Sequence, residues 1–168
     1  MLNALIIVYS FTGSVTRIAN IIKEETGGDI FNVTSLVDYS GVSGFFKACY
    51  HQIAGIIPDV KEIPNIDKYD VFYIGAPVWA WKPAGPILKV IDNIDFHQKK
   101  VVTFLTHKRY IGSAVEKFKA SIKNATYLRN GLFKKAFNYN DDKLRDQVKN
   151  WLNTYQTFET PSEKQTEL

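Results

Sequence analysis

Short apolar runs alternate along this chain with segments whose apolar positions recur every three to four residues. Runs without a polar face mark strands buried on both sides, and the interleaved helical period marks amphipathic helices. The runs predict strands at 2–9, 29–33, 69–75, 100–106 and about 125–128. Between the first two, Ile18, Ala19, Ile21 and Ile22 form a stripe at helical spacing that Gly27-Gly28 stops, which is a first crossover helix. A further helix is expected over 84–93 behind Pro83 and Pro86, and another over 113–123 with Ala114, Val115, Phe118 and Ile122 inward. Asp141-Asp142 starts the last, with Leu144, Val148, Trp151 and Leu152 inward. Strand and helix in this alternation predict an α/β domain whose parallel sheet is covered by helices on both faces.

Composition narrows the class. At 168 residues, 45% hydrophobic and 23% charged, the chain suits one domain over 1–157, followed by a polar, loose tail over 158–168. No apolar run approaches the roughly 20 residues that cross a bilayer. Met1-Leu2-Asn3 leads straight into the first strand with no charged leader, so a soluble, cytoplasmic protein is expected. Cys49 has no partner for an internal disulfide and is expected as a small core residue. With His51, His97 and His107 the only histidines, no cluster has zinc-ligand spacing and no metal is expected. The net charge is +4, and cations collect in the later half; Lys117, Lys119, Lys123 and Lys134-Lys135 read as the wet faces of helices and loops, so no nucleic-acid partner is expected.

Two loops carry the chemistry. After the first strand, Tyr9-Ser10-Phe11-Thr12-Gly13-Ser14-Val15-Thr16 is a hydroxyl-rich turn that opens a helix. Its amides and the positive end of the helix dipole favour a phosphate. It has neither the G-x-x-x-x-G-K-[ST] of a triphosphate loop nor the G-x-G-x-x-G of a dinucleotide site. A cap for the helix needs one hydroxyl, and this loop offers four. After the third strand, Gly75-Ala76-Pro77-Val78-Trp79-Ala80-Trp81-Lys82-Pro83 places two tryptophans in a proline-bounded loop. An open parallel sheet binds ligands outside the carboxyl ends of its strands where strand order reverses, which sets these loops side by side. A planar ligand with one phosphate fits the pair, and Trp79 is expected to meet its plane.

Ser10-x-Thr12-Gly13-Ser14 after the first strand and Gly75-Ala76-Pro77-Val78-Trp79 after the third resemble the flavodoxin family over essentially the whole chain. The resemblance implies a flavodoxin-like three-layer sandwich, with a five-stranded parallel sheet of order 2-1-3-4-5, and it implies FMN as cofactor. It places the phosphate on Ser10, Phe11, Thr12, Gly13, Ser14 and Val15, and one side of the isoalloxazine on Pro77, Val78, Trp79 and Ala80. The loop after strand four, with Thr106, His107 and Tyr110, is implied on the other side. The family's usual phosphate-binding threonine falls on Val15, so the phosphate is expected to rest on amides with Ser10, Thr12 and Ser14. A bulky residue at Thr12 or Gly13 is expected to abolish FMN binding, and Val15→Thr to leave it intact or tighten it.

Between strands two and three, Asp38–Pro58 is longer and more aromatic than a minimal crossover. It predicts a second helix packing Phe46, Tyr50, Ile53 and Ile57 on the sheet; a sharper reading has Tyr39 or Gly41–Gly44 overhanging the flavin edge. Lys82 reads as solvated, or as approaching the reduced flavin. Two activities follow from the resemblance. One is an electron-transfer module working with a redox partner protein, chosen by a basic rather than an acidic surface. The other is an FMN-dependent NAD(P)H oxidoreductase passing electrons to a quinone or similar small acceptor, suggested by Pro83–Asp92, which resembles the Pro-rich segment of quinone reductases. The flavin carries the chemistry in both, so no side-chain nucleophile is expected.

Overall fold

The computed structural model describes residues 2–156, and the tail expected over 158–168 lies outside them. The elements run β1 (Ala4–Val8), α1 (Ser14–Thr26), β2 (Asp29–Asn32), α2 (Gly41–Ala54), β3 (Val71–Trp79), β4 (Lys82–Pro83), α3 (Gly85–Asp92), β5 (Lys100–His107), α4 (Ala114–Ser121), β6 (Thr126–Lys134) and α5 (Asp141–Gln156). The sheet order is β2-β1-β3-β5-β6, and every neighbouring pair on that path is parallel. This is the expected order of five strands, with the two-residue β4 added as an antiparallel hairpin on β3.

β1 shows why the sheet is covered on both sides. All five of its residues are buried, and alternate side chains leave a strand on opposite faces. Leu5 and Ile7 join one core, shared with Ile87, Val90 and Ile91 of α3 and Phe118 of α4. Ala4, Ile6 and Val8 join the other, shared with Ile18 and Ile22 of α1 and Leu144 and Val148 of α5. Each aliphatic side chain buried in this way contributes about 1.5–3 kcal/mol. No described helix is long and apolar enough to cross a membrane.

Three elements differ from expectation. β3 runs on to Trp79 because Ala76 and Pro77 still pair with Leu105 and Thr106, and Val78 and Trp79 pair with β4. β6 is longer than expected, and among its residues only Gly131 and Phe133 are buried; an edge strand this polar leaves little hydrophobic signal.

The largest correction concerns α2. Phe46, Tyr50, Ile53 and Ile57 do not pack on the sheet; they are 67%, 65%, 71% and 51% exposed. The face turned inward is Gly44, Ala48 and Gln52. Gln52 Nε2 donates to the Pro83 carbonyl at 3.0 Å, and Lys82 Nζ donates to the Gln52 carbonyl at 3.3 Å. Lys82 thus ties β4 to α2 while half-buried, and it does not line the cavity at the carboxyl ends of β1, β3 and β5. Tyr39 does not overhang a cavity: it is buried, with its hydroxyl 2.8 Å from His51 Nδ1, and Gly41–Gly44 are the first turn of α2.

Candidate functional site

The chain leaves β1 through Tyr9, whose N–H donates to the Gly75 carbonyl at 3.1 Å and so holds the β1 and β3 exits together. It then turns through residues 10–13 and enters α1 at Ser14, with Gly13 at φ 83°. That left-handed conformation suits a residue without Cβ, and it lets the turn be short. α1 has no side-chain cap. The first turn of a helix leaves N–H groups without intrahelical acceptors; Ser10 Oγ accepts one of them, from Thr16, at a long 3.4 Å. Thr12 Oγ1 and Ser14 Oγ lie 3.3 Å apart.

The second wall is the β3–β4 hairpin. Its two linking residues, Ala80 and Trp81, have φ of 41° and 64°. Two-residue hairpins of this geometry favour Asn-Gly, because both central residues sit at positive φ. Ala80 and Trp81 each bring a Cβ into that region at a cost of about 1–2 kcal/mol per residue. The hairpin is held by the Ala84 N–H, which donates to the Pro77 carbonyl at 3.0 Å. The Trp81 side chain lies directly on Gly112, where an added Cβ would stand 2.6 Å from Trp81 Cβ.

The two tryptophans are placed differently. Trp79 is 9% exposed, its ring met edge-on by Tyr9, Phe11 and Tyr39. Trp81 is 57% exposed. Beneath Trp79, burial first, and then the neighbouring Tyr39 and Asp38, push the Tyr9 phenol up to about 12, so it stays neutral.

The end of β5 supplies the third wall with Thr106, His107, Lys108, Arg109 and Tyr110. His107 Nδ1 is buried without a hydrogen-bond partner. Burial lowers the His107 pKa, a backbone contact with Arg109 opposes the shift, and nearby Lys134 adds to it. Ala136 and Phe137 complete the rim on the β6 side. Arg17 of α1 holds that segment, donating to the Tyr139 carbonyl at 2.8 Å and pairing with Asp141 at 2.6 Å. Lys108 Nζ sits 5.4 Å from the centre of the Phe137 ring, a cation–π distance.

These walls enclose a cavity of about 390 Å³ at the carboxyl ends of β1, β3 and β5. Of the expected site residues, Phe11, Thr12, Ser14, Pro77, Val78, Trp79, Ala80, Thr106, His107 and Tyr110 line it. Ser10, Gly13 and Val15 do not. Ser10 and Gly13 shape the turn, and Val15 is 1% exposed in the core between α1 and the sheet. A threonine at 15 would bury a hydroxyl among aliphatic side chains, a cost of about 1–3 kcal/mol where no partner is found. Val15→Thr is therefore not the neutral change that spacing alone suggests.

Residues outside the expected set also form the wall: Trp81, Lys108 and Arg109 from the same loops, Phe45 and Cys49 from α2, and Ala136 and Phe137. Cys49 is half-buried on the cavity rather than in the core. Phe45 and Cys49 are one helical turn apart, a spacing that marks a shared face. Nothing in the sequence marked Ala136-Phe137, because their placement depends on the full length of β6. Among the described residues no carboxylate lines the cavity, whereas Lys108 and Arg109 do, so its field favours an anion.

A family model described as Flavodoxin matches residues 3–155. No curated protein matches. Among solved structures, a flavoprotein in complex with FMN from Lactobacillus acidophilus NCFM is similar at 22% identity and TM-score 0.68, over 89% of this chain and 99% of that one. Oxidised Flavodoxin 2 from Bacillus cereus is similar at 15% identity and TM-score 0.61, over 93% and 99%. A flavodoxin from the domain Archaea is similar at 15% identity and TM-score 0.53, over 94% of this chain and 99% of that one.

Proposed function

The chain belongs to the flavodoxin family, and from that premise we propose that it is an FMN-binding flavoprotein working in electron transfer. The observation that carries this reading is the meeting of a helix N-terminus without a side-chain cap and an aromatic hairpin in one cavity that Lys108 and Arg109 make basic. The residues present fit the cofactor. The turn at 10–14 offers amides and hydroxyls to a phosphate, the exposed Trp81 and Tyr110 offer faces to a planar ring, and His107 Nδ1 is a buried polar atom without a protein partner.

Bound FMN supplies the capacity to accept a hydride or single electrons. The chain's own part is to hold and shield. Thr12 and Ser14 hydroxyls and the first-turn N–H groups of α1 would hold the phosphate, while Lys108 and Arg109 would balance negative charge at the mouth. Pro77, Val78 and Ala80 would offer backbone and small side chains to the ring, and Trp81, resting on Gly112, would keep water from it. His107, its pKa lowered by burial, would offer a neutral ring nitrogen as a hydrogen-bond partner.

A second reading, an NAD(P)H oxidoreductase acting on a quinone or similar acceptor, is favoured by the basic mouth and by the open faces of Trp81 and Tyr110. The Pro83–Asp92 segment lends it no support, since Gly85, Pro86, Ile87, Val90 and Ile91 are buried in α3. Anaerobic mixing of the FMN-loaded protein with NADPH separates the two. Electron transfer through a partner protein predicts that the flavin absorbance persists until the partner is added; prompt bleaching by NADPH alone supports the enzyme.

A further inference from the structure

Helix α2 has two apolar sides, and among the described residues only one of them is covered. Gly44, Ala48 and Gln52 turn inward. Val42, Phe46, Tyr50 and Ile53 recur at helical spacing on the outside, at 76%, 67%, 65% and 71% exposure, and Phe45 and Ile57 extend the stripe at 46% and 51%. A helix apolar around most of its circumference is normally buried on both sides. Against full areas of order 150–250 Å² for aromatic side chains, these exposures sum to roughly 700 Å² of apolar surface on and beside one helix. That is more than the ~300–600 Å² of the largest patch on a typical monomer, and close to the ~800 Å² per partner of a standard stable interface.

We propose that this face is the contact between two copies of the chain, with α2 of one laid against α2 of the other about a two-fold axis. Three observations select a second copy over other occupants. The area matches what one partner gives to a stable dimer. The only Lys, Arg, Asp or Glu in α2 is Lys47, so the face meets its own copy without a cluster of like charge; a charged redox partner would find almost nothing there to pair with, and redox encounters that must separate quickly use smaller interfaces. A self-complementary stripe also suits an isologous contact, the commonest symmetry of soluble oligomers. The stripe runs into the cavity through Phe45, which belongs to both, so the second copy stands beside the mouth and narrows it on the α2 side. The inference does not depend on what the cavity holds.

The test is the sedimentation of the full chain at tens of micromolar, beside the double variant Phe46→Glu with Ile53→Glu. Both positions are exposed and outside the cavity wall, and the thermal melt of the variant is read alongside to show that it folds. The expected result is a dimer for the wild type and a folded monomer for the variant. A wild type that remains monomeric over this range overturns the proposal, as does a variant that folds and stays dimeric. Binding of a monomeric wild type to vesicles of neutral phosphatidylcholine would overturn it in favour of a membrane surface. Should the double variant fail to fold, the wild-type mass still decides whether a dimer exists, and Tyr50→Lys, at a third exposed position, decides whether α2 makes it.

Discussion

The two loops that frame the cavity reach the same place by opposite means. The turn at 10–13 needs one residue at positive φ and places a glycine there, Gly13. The hairpin at 79–82 needs two, and places alanine and tryptophan. The first loop presents backbone, so a relaxed turn with no Cβ serves it. The second presents a side chain, and the Cβ that strains the turn is the one that carries the indole. Strain persists where the surroundings over-determine it, and here the flanking pairs Val78 with Pro83 and Trp79 with Lys82, together with Gly112 under the indole, supply that constraint. The comparison also separates the tryptophans: Trp79 is packed among Tyr9, Phe11 and Tyr39, whereas Trp81 stands open, and both line the cavity.

Substitutions that exchange these roles break the comparison. Trp79→Ala empties a site packed by Tyr9, Phe11 and Tyr39. It is expected to cost about 3–5 kcal/mol of stability, as large aromatic truncations in cores do, measured by urea denaturation of the flavin-free protein. Gly13→Val puts a β-branched residue at φ 83° and is expected to weaken FMN binding by more than about 100-fold, equivalent to about 2.7 kcal/mol, while the sheet still folds. Calorimetric titration checks it, and binding within a few-fold of wild type would show that the turn does not hold the phosphate. Trp81→Ala is expected to leave the urea midpoint nearly unchanged and to weaken FMN by about tenfold, the scale of one lost aromatic contact.

Smaller effects sharpen the same contrast. Ala80→Gly relieves one strained Cβ, and its gain is offset by the greater freedom of the unfolded chain; a net stabilisation of up to ~1 kcal/mol is expected. Its thermal melt should rise slightly, and a fall would mean the turn is not strained. The pH dependence follows from His107. Burial holds its folded pKa below the unfolded value of about 6.5, so the unfolded state binds more protons as pH falls through that value. Stability is therefore complete above about pH 6.5 and declines below it until the folded pKa is passed. His107→Gln should flatten that part of a melting curve series taken across mildly acidic pH.

How much of this could be read beforehand depended on where the information lay. β1, β3 and β5 were legible because their residues are buried on both faces and so form unbroken apolar runs. α1 and α5 were legible from one apolar stripe each. The stripe on α2 was equally legible, yet it pointed the wrong way: Phe46, Tyr50 and Ile53 have the spacing of a buried face, and spacing does not say which of two apolar faces meets the sheet. Gly44 and Ala48, the small residues, carry the contact. In the site, the loops were visible from their residue types and from the point where strand order reverses. The unequal exposure of Trp79 and Trp81 was not, since it rests on a hairpin whose alanine and tryptophan break the usual turn preference. Val15 sits in the first turn of α1 rather than in the loop, and only the helix phase shows that its side chain enters the core.

The amide turn and the aromatic hairpin are proposed to form one FMN site. The most direct measurement is titration of flavin-free wild-type protein with FMN, following flavin fluorescence and the melting temperature together. Saturation at one FMN per chain is expected, with quenched flavin fluorescence and a raised melting temperature. Unchanged fluorescence and an unchanged melt at saturating FMN would contradict it.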